Sequence, residues 1–245
     1  MDPSPKFPST PWTKLRAAVD PVPTAQRAAA INDLCSYYWY PLYAFARWRG
    51  CTHEDAQDQT QIFLHRLIER NSLENADASK GRLRSYLLGA FRNQLINSWE
   101  HSHCARQGGL ATIHSLEMPG AEQRFALETP DQSLSPEEQF DRVWAQAVLD
   151  ACLTDMAAGY ARNGQAELFA SLRPFLNPVQ IADACMTKVA HQLGMSDVAL
   201  RQRVFRLRGE FARALRAHVA ALLSDPTPQE IDEEMQNLRR ALEKS

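Results

Sequence analysis

Six side chains between positions 201 and 208 have types and spacing that could do recognition chemistry: Arg201, Gln202, Arg203, Phe205, Arg206 and Arg208, within the stretch LGMSDVALRQRVFRLRGEF from Leu193 to Phe211. An arginine fork pairs bidentately with a guanine edge, a glutamine amide pairs with adenine, and an exposed phenylalanine ring packs on a thymine methyl. Arginines that miss the bases reach phosphates instead. The mixture suits a face that reads double-stranded DNA. Its positioning elements lie around it: a helix ending near Leu193, a turn over Gly194 and Met195, and a second helix capped by Ser196. This is a helix-turn-helix pattern, whose second helix enters the major groove. On that helix Leu200, Val204, Leu207 and Phe211 recur at i, i+4, i+7 and i+11 and form the packed side. Arg201, Gln202, Phe205 and Arg208 then point away, Arg203 and Arg206 act as phosphate clamps, and Ser196 joins them at the helix start. A basic run taken alone is more often a solvated helix face. The cap, the turn and a phenylalanine on the polar side favour the reader.

A second constellation lies in KGRLRSYLLGAFRNQLINSWEHSHCAR, where Lys80, Arg82, Arg84, Arg92 and Arg106 are interleaved with Ser85, Tyr86, Asn93, Asn97 and Trp99. Cations that follow a backbone, with amides and aromatic rings for unstacked bases, suit single-stranded DNA. The formal net charge of -2 hides both islands. Lys80 to Arg106 holds five basic residues against Glu100, and Leu193 to Leu223 holds six arginines against Asp197 and Glu210. Gln107 to Asp150 holds eight acidic residues against two arginines, and Gly50 to Ser79 six against two, so two basic islands sit in an acidic frame.

Catalytic chemistry has little to stand on. His101, His103 and Cys104 in HSHC are three possible metal ligands within four positions, but no second cluster accompanies them and no glycine loop for phosphate appears. The expectation is a protein that is not an enzyme and holds no metal or cofactor. The five cysteines, Cys35, Cys51, Cys104, Cys152 and Cys185, form no C-x-x-C pair, and their odd number argues for reduced thiols. The proline-rich start MDPSPKFPSTPW lacks a signal-peptide core, and no apolar run is long enough to span a bilayer. A cytoplasmic location is expected.

Periodicity is helical almost throughout and predicts an all-α chain of two small domains joined by a flexible linker. Ile31, Leu34, Cys35 and Tyr38 begin one stripe, which Pro41 is expected to interrupt before Leu42, Phe45 and Ala46 resume it. Thr52 and Asp55 announce a second helix, with Thr60, Phe63, Leu64, Leu67 and Ile68 inward. A third carries Leu83, Tyr86, Leu87, Ala90, Phe91 and Leu95. Glycines, prolines and acids then break the pattern, so 107–134 is expected to be a linker. Ser135, Pro136 and Glu138 open the next domain. The predicted divisions are an extension over 1–24, a first domain over 25–106, the acidic linker, a helix-turn-helix domain over 135–223, and an acidic tail over 224–245. The tail's apolar positions, Ile231, Met235, Leu238 and Leu242, suggest one more helix, expected to dock on the second domain.

The stretches LCSYYWYPLYAFARWRG, THEDAQDQTQIFLHRLIER, SKGRLRSYLLGAFRNQLINSWE, DRVWAQAVLDACL, LFASLRPFL and VAHQLGMSDVALRQRVFRLRGEF together resemble the extracytoplasmic-function class of bacterial sigma-70-type sigma factors, over nearly the whole chain. The likeness is greatest to a subgroup with such YWYPLYA and DRVWA blocks. The resemblance implies binding to core RNA polymerase, through the β′ clamp helices and the β flap, and recognition of promoter DNA. Under it Asp55, Asp58, Gln61 and Phe63 lie in the polymerase-binding helix. Lys80, Arg82, Arg84, Ser85, Tyr86, Arg92, Asn93, Asn97 and Arg106 serve the minus-10 element, and Ser196, Arg201, Gln202, Arg203, Phe205, Arg206 and Arg208 the minus-35 element. An anti-sigma factor or other regulator is a further implied partner. The chain departs from the family in having Gln59 where an apolar residue is usual, Asn97 where an Asp is common, and CARQGG in place of a more basic block. The alternatives are a helix-turn-helix regulator, or a sigma-like adaptor, acting without core polymerase.

Overall fold

Four helix starts use one piece of chemistry, a hydroxyl that accepts the N–H three residues on. Thr52 accepts from the Asp55 amide at 3.1 Å, Ser135 from Glu138 at 3.2 Å, Ser196 from Ala199 at 3.2 Å and Thr227 from Glu230 at 3.3 Å. At Ser135 and Thr227 the glutamate returns the bond, accepting from the Ser135 amide at 2.9 Å and the Thr227 amide at 2.7 Å, so two free N–H groups are satisfied reciprocally. Three helix ends are closed with the help of a glycine. Gly50, Gly164 and Gly194 adopt φ of 93°, 69° and 63°, a region costly for other residues, and let the Cys51, Gln165 and Met195 amides donate back to the Ala46, Tyr160 and Ala190 carbonyls.

The computed structural model describes residues 24–69, 83–102, 120–128, 133–176, 183–223 and 226–243. Among them the structure is all-helical: α1 (Thr24–Trp48), α2 (His53–Glu69), α3 (Leu83–Ser102), α4 (Ala121–Leu127), α5 (Pro136–Arg162), α6 (Ala166–Leu172) with a 3-10 turn (Arg173–Leu176), α7 (Asp183–Gln192), α8 (Asp197–Ala221) and α9 (Pro228–Glu243). No helix among the described residues is long and apolar enough to cross a membrane. The chain divides into two compact units, 1–147 with 219–245, and 148–218.

In the first unit α1 runs unbroken through Pro41, contrary to the expected interruption. A proline inside a helix costs about 3 kcal/mol. Here Tyr38, Trp39, Tyr40, Leu42 and Tyr43 around it are each no more than 2% exposed, and their burial offsets that cost. Phe45 meets Phe91 of α3 at 6.4 Å and Phe140 of α5 at 6.3 Å, so the start of α5 packs in this unit rather than opening a separate domain. Two further expectations fail here. The segment 107–134 contains α4, and the tail helix α9 belongs to the first unit, with Leu238, Ala241 and Glu234 buried.

The second unit is built around Phe169, Leu172, Phe175, Met186, Ala190, Leu200, Val204 and Leu207. Leu200, Val204 and Leu207 are the packed side read from periodicity, while Phe211 is half-buried. The hydroxyl of Tyr160 donates to Glu210 at 2.7 Å and ties α5 to α8. Burial, then acceptance by Glu210, pushes the Tyr160 phenol up to about 12.

Candidate nucleic-acid interface

On α8 the inward stripe fixes what faces out. Leu200, Val204 and Leu207 are 0%, 5% and 1% exposed, whereas Phe205 is 80% exposed. Arg201, Gln202, Arg203, Arg206 and Arg208 are exposed too, and Ser196 caps the helix with its side chain. Exposing a phenylalanine forgoes about 1.5–3 kcal/mol of burial, so its place between arginines is not a packing solution. Arg208 departs from the expected role: its Nε and Nη2 donate to the Phe175 carbonyl at 3.0 and 2.9 Å. Two donors of that fork are thus spent on the 3-10 turn, although the residue as a whole remains exposed.

Sequence reasoning passes over Val198, which is 66% exposed. The signal is there, since positions 198, 202 and 205 share the helical spacing i, i+4 and i+7.

On α3 the register separates two kinds of residue. Ser85, Arg92, Asn93 and Asn97 are exposed, Tyr86 is half-buried, and Ile96 and Trp99 stand 36% and 40% exposed. Arg84, expected among the DNA contacts, is buried at 7% exposure. Its guanidinium stacks on the Trp144 ring at 4.4 Å and pairs with Asp141 at 3.2 Å and Glu234 of α9 at 3.3 Å. Glu234 is itself 2% exposed, so Arg84 is one half of an internal ion pair and does not lie on the surface. The physical reason is its position in the stripe of Leu87, Phe91 and Leu95, all buried. Arg92 lies 3.8 Å from Glu137. Lys80, Arg82 and Arg106, and His103 and Cys104 of HSHC, lie outside the described residues.

On α2 Asp55 and Asp58 are exposed and Gln61 is half-exposed, along one face. Phe63 is buried and meets Phe91 at 5.1 Å, so it builds the core and presents nothing to a partner. Gln59 gains a polar counterpart: the Gln94 amide donates to its carbonyl at 2.9 Å and its side-chain oxygen at 3.0 Å. An apolar residue there would lose the second of those bonds. Among the described cysteines, burial raises the thiols of Cys35 and Cys152 to about 11 and also raises Cys51, which suits packing more than nucleophilic chemistry.

Comparison with protein-family models, with curated proteins and with solved structures gives no significant match in any of the three.

Proposed function

We propose that the chain is a promoter-recognition factor of the extracytoplasmic-function sigma type: it binds core RNA polymerase, reads a minus-35 element with α8 and engages a minus-10 element with the outer face of α3. It acts by binding, not by catalysis. The observation that carries the reading is the division of α8, where Leu200, Val204 and Leu207 are buried while Phe205 stands in solvent among Arg201, Arg203 and Arg206. The Arg201 fork and the Gln202 amide are suited to base edges, Arg203 and Arg206 to phosphates. The exposed carboxylates of Asp55 and Asp58 on α2 suit a basic polymerase surface. Full-length chain mixed with core polymerase is expected to co-purify with it and to support run-off transcription from a library of random promoters. Failure to bind core sinks the sigma reading.

One observation favours a second reading, a helix-turn-helix regulator that needs no polymerase. Of the first island's basic side chains that the structure describes, Arg84 is buried and Arg92 alone lies at the surface, beside Glu137. Selective duplex binding without core, together with no core binding, would establish that reading instead.

A further inference from the structure

Large apolar side chains that stand in solvent are few among the described residues: Ile96, Trp99, Leu127, Val198 and Phe205. Two of the five share one stripe of α8. Seven residues separate Val198 from Phe205, which returns to the same side of the helix within about 20° and advances about 10.5 Å along the axis. Gln202 falls between them on that stripe. Arg201 and Arg206 flank it, about 60° to one side of Val198 and about 80° to the other.

Folding gives no reason for a valine at 198. A β-branched residue in the exposed first turn of a helix has lower helical propensity than alanine, glutamate or lysine, and at 66% exposure Val198 gains little from burial. The first turn of a groove-reading helix is, however, where side chains meet base edges. The apolar feature on a base edge in the major groove is the thymine methyl.

We infer that Val198 is a specificity-determining residue, and that Val198 and Phe205 together read two thymine methyl groups about three base-pair steps apart, with an adenine-reading amide, Gln202, between them. The spacing comes from the axial advance divided by a rise of about 3.4 Å per base pair. The flanking arginines favour DNA over an apolar protein partner for this stripe, because they place cations on both sides where phosphates line a groove. This inference rests on α8 being a DNA-reading helix.

The test selects binding sites from random duplex DNA with the complete chain bound to core polymerase. Each thymine of the enriched motif is then replaced by deoxyuridine, which deletes only the methyl. Two thymines at the stated spacing, on either strand, are expected. Each replacement should weaken binding about fourfold, the equivalent of about 0.8 kcal/mol for one buried carbon. Val198→Ala should abolish the uracil penalty at one position and Phe205→Ala at the other, and neither exposed change threatens folding. A motif without such a pair, or penalties that the variants leave unchanged, overturns the inference while the DNA-reading function stands. Failure to enrich any sequence overturns both.

Discussion

Two helices from the basic islands, α3 and α8, place Arg84 and the arginines around Phe205 in opposite phases against their apolar stripes. On α8 the charged residues fall outside the stripe of Leu200, Val204 and Leu207, so they surround an exposed Phe205. On α3 Arg84 falls inside the stripe of Leu87, Phe91 and Leu95 and is consumed by Asp141, Glu234 and the Trp144 ring. The segments around them, Lys80 to Arg106 and Leu193 to Leu223, carry the same net charge, so local charge cannot distinguish outward-facing arginines from internally paired ones. The phase of each arginine against its neighbouring apolar residues does distinguish them.

The largest effect should come from Arg84. Arg84→Ala leaves the Glu234 carboxylate buried without its cation, which costs about 3–5 kcal/mol of stability. Thermal unfolding of the full chain should fall by roughly 10 °C on the scaling for a protein of this size. The double change Arg84→Met with Glu234→Leu should recover most of the loss, because apolar replacement of a buried pair is often neutral. Arg206→Ala on α8 should alter stability by less than about 0.5 kcal/mol. An Arg84→Ala protein with unchanged unfolding and impaired promoter opening would break the comparison, since both helices would then be recognition surfaces.

A smaller effect sharpens the comparison within α8 itself. Arg208→Ala removes both bonds to the Phe175 carbonyl and should destabilise the second unit by about 1.5 kcal/mol, the lower end for bonds to a charged group. Gln202→Ala should leave the unfolding of the same unit within about 0.5 kcal/mol of the parent and lower affinity for DNA instead. Denaturant unfolding followed by hydrogen exchange in the second unit separates the two. Loss of DNA binding without loss of stability would return Arg208 to the reading face.

Much of this fold is legible in the sequence alone. Helix type, the caps at Thr52, Ser135 and Ser196, and the packed side of α8 come from spacing, because local periodicity and local hydrogen bonds determine them. Arg84 is legible in principle, being three residues before Leu87 and seven before Phe91, but a tally of charge carries no information about phase. What α5 and α9 pack against is not legible. A stripe such as Phe140, Val143 and Trp144, or Leu238 and Ala241, declares that a face is buried and leaves its partner unnamed. The helix α4 is hidden for a different reason. Seven residues hold too few turns for a period, and a helix that short is stable only through tertiary contacts.

Those contacts give the smallest and most specific test. Glu122 of α4 accepts from the Tyr43 hydroxyl at 2.5 Å and from Arg47 at 2.6 Å, while Arg124 lies over the Tyr40 ring at 3.9 Å and Arg47 over Phe125 at 4.7 Å. The bond from Tyr43, then those from Arg47, lowers the Glu122 carboxyl below its usual 4.5. A depressed carboxyl contributes its full docking strength above the usual value and loses it as pH falls through the folded one. Hydrogen exchange of Ala121–Leu127 should therefore be flat with pH above about 4.5, after correction for intrinsic rates, and should accelerate below it. Because the Glu122 side chain is 39% exposed, solvent screens the pair and the change should be much smaller than at Arg84. Glu122→Gln should show raised exchange at neutral pH and no further step on acidification. If parent and variant share one pH profile, α4 is held by its ring contacts alone, and the exposed ion pair contributes nothing where the buried one on α3 contributes most.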